Sequence, residues 1–189
     1  MSDLSTRDEI IENADRLFYE QGFEKTSFTD IAKEVQISRG NFYHHFKSKD
    51  EILSAVIQYR LKKTEKLLET WQLKGKDPQK RIQLFIHILI ANLTKIKLYG
   101  CPVGTLTTEL NKLEHVSRSE ANEIFNLFRD WLRQQFVDLG FKKNANKYAM
   151  HVLARSQGIA TLANAYRDES FVNYEVKVLI DWVKGLNNK

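Results

Sequence analysis

The chain of 189 residues is 42% hydrophobic, enough to bury one core or a small domain docked on a larger one. Its single cysteine excludes an internal disulfide and suits a reducing cytoplasm, and acids stand in Met1–Leu17 where a signal peptide needs an apolar run. The longest apolar stretch, Leu84 to Leu93, contains His87 and is about half the length that a bilayer requires, so no membrane partner is expected.

The net charge is +5, but residues 1–50 hold ten acids against seven lysines and arginines, so global charge makes no case for nucleic acid. A local feature does: Gln36 to Lys49 has no acid while carrying Arg39, His44, His45, Lys47 and Lys49.

Two prolines, eight glycines and aliphatic residues at helical spacing predict an all-α chain of about nine helices. The first is expected to start on a capping box of Thr6 and Glu9, bury Ile10, Ile11, Ala14, Leu17 and Phe18, and stop at Gly22. Ser27 with Asp30 starts a short second helix that turns Ile31, Ala32 and Val35 inward. After the tight turn Gln36-Ile37-Ser38, Ser38 caps a third helix. Phe42 and Phe46, four apart, face its core side and leave Arg39, Asn41, Tyr43 and His44 outside. Ser48 and Glu51 form another capping box, opening a long fourth helix to about Lys74.

Gly75 and Asp77-Pro78 mark a seam between a small head and a larger body. A strongly apolar helix is predicted over Gln79 to Leu98, breaking at Tyr99-Gly100-Cys101-Pro102, with a short helix from Gly104 to Leu113. Ser117 and Glu120 are expected to cap a helix that runs to Gly140. Two more follow, about Asn144 to Tyr166 and Phe171 to Leu186.

Two short helices joined by a three-residue turn, the second acid-free and polar outside, are the parts of a helix-turn-helix. The stretch Thr26 to Val35, followed by Ile37-Ser38-Arg39-Gly40-Asn41-Phe42-Tyr43-His44-His45-Phe46-Lys47-Ser48-Lys49, closely resembles the signature of the TetR family of transcriptional regulators. The resemblance covers about the first fifty residues, and the helix layout behind them resembles that family more weakly.

It implies a three-helix DNA-binding domain over 1–50 and a helical effector-binding and dimerisation domain over 51–189. It also implies a repressor that binds a pseudo-palindromic operator. In that role Arg39 and Asn41 reach base edges, arginine preferring guanine and asparagine adenine, and side-chain-free Gly40 lets the backbone approach DNA. Tyr43 and His44 contact sugar-phosphate, Ser27, Thr29, Ser38 and Lys49 anchor phosphates, and His45 donates to phosphate or locks the corner into the fourth helix. Phe28 departs from the pattern, an apolar ring where relatives are often polar.

A short recognition helix needs a second head at fixed spacing, so a homodimer is expected. Ala154 and Gly158 lower side-chain bulk on one C-terminal helix, and Val172, Val176, Leu179, Ile180 and Val183 form an apolar stripe on the last; the competing expectation is that this face packs only within its own chain. Between head and dimer helices, Phe85, Leu89, Tyr99, Cys101, Leu106, Phe125, Phe128, Trp131 and His151 are the candidate lining of an effector pocket for an unknown small molecule, apolar or aromatic because the lining holds few charges. The Gly100-Cys101-Pro102 segment resembles one found in a subset of the family, some of whose members sense electrophiles or oxidants through that cysteine. The competing expectation is a buried, inert cysteine.

Two other classes fit less well. An enzyme would have to use Cys101 with His87, His115 or His151, which share no local spacing, and no glycine-rich phosphate loop or Cys/His metal pattern occurs. No cofactor or metal is therefore expected. A non-specific architectural DNA-binding protein would need a broadly basic surface, which the acid-rich head lacks.

Overall fold

A computed structural model describes residues 5–186. Every regular element among these residues is a helix, ten in all: α1 (Thr6–Gln21), α2 (Phe28–Val35), α3 (Arg39–His45), α4 (Lys49–Lys74), α5 (Pro78–Ala91), α6 (Leu93–Tyr99), α7 (Pro102–Lys112), α8 (Arg118–Asp138), α9 (Ala145–Tyr166) and α10 (Glu169–Gly185). Among the described residues no single helix is long and apolar enough to cross a membrane.

Local capping chemistry sets most boundaries. Ser27 and Asp30 cap α2 reciprocally, Ser38 accepts from the Asn41 N–H to start α3, and Asp77 accepts from the Lys80 N–H with Pro78 in the first turn of α5. At three starts the structure differs from the sequence expectation. Ser5, rather than Thr6, caps α1 by accepting from the Asp8 N–H. Ser48 does accept from the Glu51 N–H, but the Glu51 carboxylate takes the N–H of Lys47, not that of Ser48. Glu120 does not serve as a capping partner: its carboxylate accepts from Ser54 Oγ (3.0 Å) and Gln58 Nε2 (2.6 Å) on α4.

The apolar stretch expected as one helix over Gln79 to Leu98 is two, α5 and α6, separated by Asn92. Both the backbone N–H and the side-chain amide of Asn92 donate to the Ile88 carbonyl, a local competition that asparagine offers and an aliphatic residue cannot. The next break lies where expected. Gly100 closes α6 and Pro102 opens α7, two residues earlier than predicted.

The helices form two compact units, one of residues up to Lys63 with Pro102–Ile124, the other of Thr64–Cys101 with Phe125–Lys189. The first unit is built around Ile10, Phe18, Phe23, Ile31, Phe42, Phe46, Ile52, Leu53 and Ile57, and α7 adds Leu106 and Leu110 to that core. It therefore takes in α7 and the first turns of α8 as well as the first fifty residues. In the second unit α10 packs on α5 and α9, and α6 packs on α9. Its buried residues include Ile82, Phe85, Ile86, Leu132, Phe136, Val152, Val176 and Val183.

Candidate nucleic-acid interface

The interface is built by α2, α3 and the turn between them. Gln36 stands at φ 58°, a left-handed conformation, and its N–H donates to the carbonyls that end α2; this folds the chain back so that Ser38 can open α3. Phe42 in α3 and Phe46 just after it are fully buried, while Arg39, Gly40, Asn41, Tyr43 and His44 are exposed and His45 is half-buried. One helical turn thus separates the anchoring face from a polar outer face. A Cβ at Gly40 would meet no atom within 4 Å, so nothing inside the protein requires glycine there. The empty space lies on the solvent-facing side of α3.

Several acids near α3 are taken up in a cap or in pairs. Arg16 pairs with both Glu20 and Glu34. Ser27 holds the Asp30 carboxyl below its usual range, chiefly through its hydroxyl and then through its backbone N–H. Asp50 pairs with His115 (3.3 Å), and Glu51 with the Lys47 N–H (2.7 Å). Glu20, Asp30, Glu34 and Asp50, four of the ten acids of residues 1–50, are thus engaged in a cap or in pairs, while Arg39 and His44 lie exposed.

Not every predicted phosphate contact is free. Thr29 and Ser38 are exposed, but the Ser27 hydroxyl both donates to and accepts from Asp30. The Lys49 ammonium donates to the Phe23 and Glu24 carbonyls (3.0 and 3.2 Å) and lies 4.3 Å from the Phe23 ring centroid. Lys49 thus holds the turn between α1 and α2. Phe28, singled out in the sequence as a departure from the family pattern, has a packing role, and Arg7 was missed by the sequence reading. Phe28 stands 5.2 Å from the Phe42 ring and 5.6 Å from Tyr43, packing behind the exposed tyrosine. Arg7 places its guanidinium 4.8 Å over the Phe46 ring, beside the end of α3. A cation beside an aromatic on a distant helix leaves no local signal in the sequence.

The predicted pocket lining is dispersed. Phe85, Phe128 and Trp131 do come together, with Trp71, as a ring cluster with centroids 5.5–6.5 Å apart, and the Trp131 indole N–H is buried with no acceptor among the described residues. Leu89 is buried in the same unit. Leu106 instead belongs to the core of the first unit. Phe125 lines a separate open groove with Asn126, Arg129, Met150, Leu153, Ala154 and Gln157. His151 stacks at 4.6 Å on Trp182, and this partial burial, followed by Arg155, lowers its pKa from the usual value. Tyr99 and Cys101 are half-buried on either side of Gly100.

The expected dimer stripe needs correction. Val172, Val176, Leu179, Ile180 and Val183 are buried within the same chain, where α10 packs on α5 and α9. Periodicity shows that a helix face is covered, but not which element covers it. The apolar side chains left exposed on these two helices are others: Met150, Leu162 and Tyr166 on α9, in line with exposed Ala154 and Gly158, and Tyr174 and Val178 on α10. Among the described residues no group of three or more His, Cys, Asp or Glu side chains could hold a metal ion.

Comparison with known proteins matches two separate stretches of the chain. Residues 10–56 match the profile of bacterial regulatory proteins of the tetR family, and residues 78–173 match that of the LmrA/YxaF-like transcriptional regulator C-terminal domain. An HTH-type transcriptional regulator in the lacX 3′ region of Lactococcus lactis is 29% identical over 168 residues, 87% of this chain and 86% of that protein. The HTH-type transcriptional repressor DhaR of a Mycobacterium species is 25% identical over 134 residues, 70% of this chain and 65% of its own. Among solved structures, a TetR transcriptional regulator from Legionella pneumophila superposes with a TM-score of 0.86 at 24% identity, covering 96% of this chain and 98% of its own. The reduced form of Escherichia coli NemR gives 0.78 at 18%, covering 93% and 95%.

Proposed function

This chain belongs to the TetR family of bacterial regulatory proteins, and from that premise we propose that it is a ligand-responsive repressor that binds a pseudo-palindromic operator as a homodimer. It is a transcriptional regulator and not an enzyme. The observation that carries the reading is the outer face of α3, where Arg39, Gly40, Asn41, Tyr43 and His44 stand exposed over a buried Phe42–Phe46 anchor. Thr29, Ser38 and His45 are offered as phosphate contacts, with Ser27 and Lys49 holding the surrounding backbone in place. Residues 1–50 form the reading part, and 51–189 the pairing and sensing part, working in the cytoplasm. A repressor among the relatives supports the negative sign of regulation.

A two-fold dimer uses the same patch on both copies. The exposed Met150, Ala154, Gly158 and Leu162 of α9, with Tyr174 and Val178 of α10, supply an apolar patch of that kind. For the effector, the cluster of Trp71, Phe85, Phe128 and Trp131 favours an aromatic compound, and the Trp131 N–H, without an acceptor among the described residues, favours one carrying a hydrogen-bond acceptor. Selection from random DNA is expected to return an inverted repeat bound by two chains. A single unsymmetrical half-site bound by a monomer would sink the proposal, and so would sequence-independent binding that competitor DNA removes entirely.

Release by modification of Cys101 is the second regulatory route we infer. Its half-buried thiol lies between Gly100, at φ 79°, and Pro102, the first residue of α7, where added volume disturbs a helix start. Hypochlorite or an electrophile is expected to release wild-type protein from its operator and to leave Cys101→Ser bound. Equal release of both proteins returns Cys101 to a packing role.

A further inference from the structure

The turn between α1 and α2 is held from both sides by charged groups remote in sequence. The Glu109 carboxylate of α7 accepts the N–H of Phe23 through one oxygen and that of Glu24 through the other, at 2.9 Å each. On the carbonyl side, the Lys49 ammonium donates to those same two residues. Gly22, which begins the turn at φ +95°, would carry its Cβ 3.0 Å from Glu109 Oε1, so the missing side chain gives the carboxylate its seat. Phe23 is buried edge-on against Phe18 and His115, and Thr26 ties the turn further through its hydroxyl bond to the Gly22 carbonyl (2.7 Å). The next residue is Ser27, the cap of α2.

Two neighbouring N–H groups aimed at one ionised carboxylate make charge-assisted bonds, stronger than neutral ones and demanding in direction. They set where the turn ends, hence where α2 starts, and through α2 and the Gln36 turn the placement of α3. We propose that Glu109 is a positioning residue for operator reading: it touches no DNA, yet its carboxylate fixes the seat of the helix-turn-helix. This rests on the reading of α3 as the DNA-contacting helix.

A residue that merely adds stability and one that positions α3 make different marks on binding. Lost stability removes folded protein and weakens operator and random DNA in equal proportion. A misplaced α3 spoils base contacts but leaves the attraction between lysine or arginine and phosphate, which carries non-specific binding and its salt dependence. In Glu109→Gln the amide oxygen can keep one N–H bond, while the NH2 group faces the other N–H as a second donor.

The experiment measures binding of the intact dimer to the site returned by selection and to random DNA, across a salt series, with amide exchange at Phe23 and Glu24. Glu109→Gln is expected to exchange faster at those two amides and to bind the operator roughly tenfold more weakly, the order expected for one charge-assisted bond lost. Binding to random DNA and the salt slope should stay as in wild type. If Glu109→Gln does not fold, Glu109→Asp is expected to keep the charge and lose part of the operator preference. Full operator preference in a folded variant would overturn the proposal, as would an equal loss on both DNAs. A wild-type protein with no preferred site overturns the DNA-reading assignment itself, and this proposal with it.

Discussion

Arg60→Ala is expected to destabilise the chain by about 3 kcal/mol, because removing one partner of a buried ion pair strands the other. Arg60 is only 8% exposed. Its Nε pairs with the Asp15 carboxylate, another guanidinium N–H donates to the Asp15 carbonyl (3.3 Å), and a third reaches the Pro102 carbonyl (2.7 Å). One side chain on α4 thus satisfies acceptors on α1 and at the start of α7, and alanine leaves all of them without that donor. The Asp15 side chain keeps some contact with water, at 22% exposure, which places the cost at the lower end of the range for such pairs. Arg60→Met retains the apolar stem and separates lost packing from lost charge. Urea unfolding is the measurement: the midpoint should fall at an unchanged slope. A loss below about 1 kcal/mol would show the pair to be no stronger than a surface salt bridge.

Arg39→Ala and Tyr43→Ala are each expected to weaken operator binding by about 1–3 kcal/mol, roughly 5- to 150-fold, with fold and dimer intact. The loss of Arg39 should also relax base preference at one operator position. Both side chains are exposed, so neither contributes to the core, and far-UV circular dichroism should not change. Tyr43 adds an internal control. The Phe28 ring packs 5.6 Å from it, and edge or tilted aromatic pairs are worth about 0.5–1.5 kcal/mol beyond burial. Phe28→Ala should therefore weaken operator binding in wild type and have little further effect in Tyr43→Ala. Additive losses would mean that Phe28 does not orient Tyr43. Unchanged affinity and specificity in Arg39→Ala would remove Arg39 from the set of base contacts.

Much of the reading head was legible because its determinants are local. The Ser27–Asp30 box, the Ser38 cap and the Phe42–Phe46 pair join residues three or four apart, and the backbone geometry that joins them is the helix itself. The exposure of Arg39, Asn41, Tyr43 and His44 follows from the same period once Phe42 and Phe46 point inward. The family resemblance drew on the same stretch.

The partners of long side chains were decided elsewhere. Lys49 has the charge of a phosphate anchor, and only the arrival of the α1–α2 turn beside α4 makes it a clamp on two carbonyls. Glu120 has the spacing of a capping residue, yet α4 presents a hydroxyl and an amide within its reach. Glu109 meets Phe23 across 86 positions, a separation at which no sequence pattern registers. The apolar stripe of α10 shows the limit most directly. Hydrophobic burial is non-directional, so a period of 3.6 establishes that Val172, Val176, Leu179, Ile180 and Val183 must leave water, and α5 and α9 satisfy that requirement as well as a second subunit could. The amino-acid order alone determined most of the helices, the caps of α2, α3 and α5 and the outward face of α3, because those depend on contacts within one turn. Which charged groups meet, and which apolar face remains exposed, depended on how the helices pack, because those contacts join residues that only tertiary structure brings within reach.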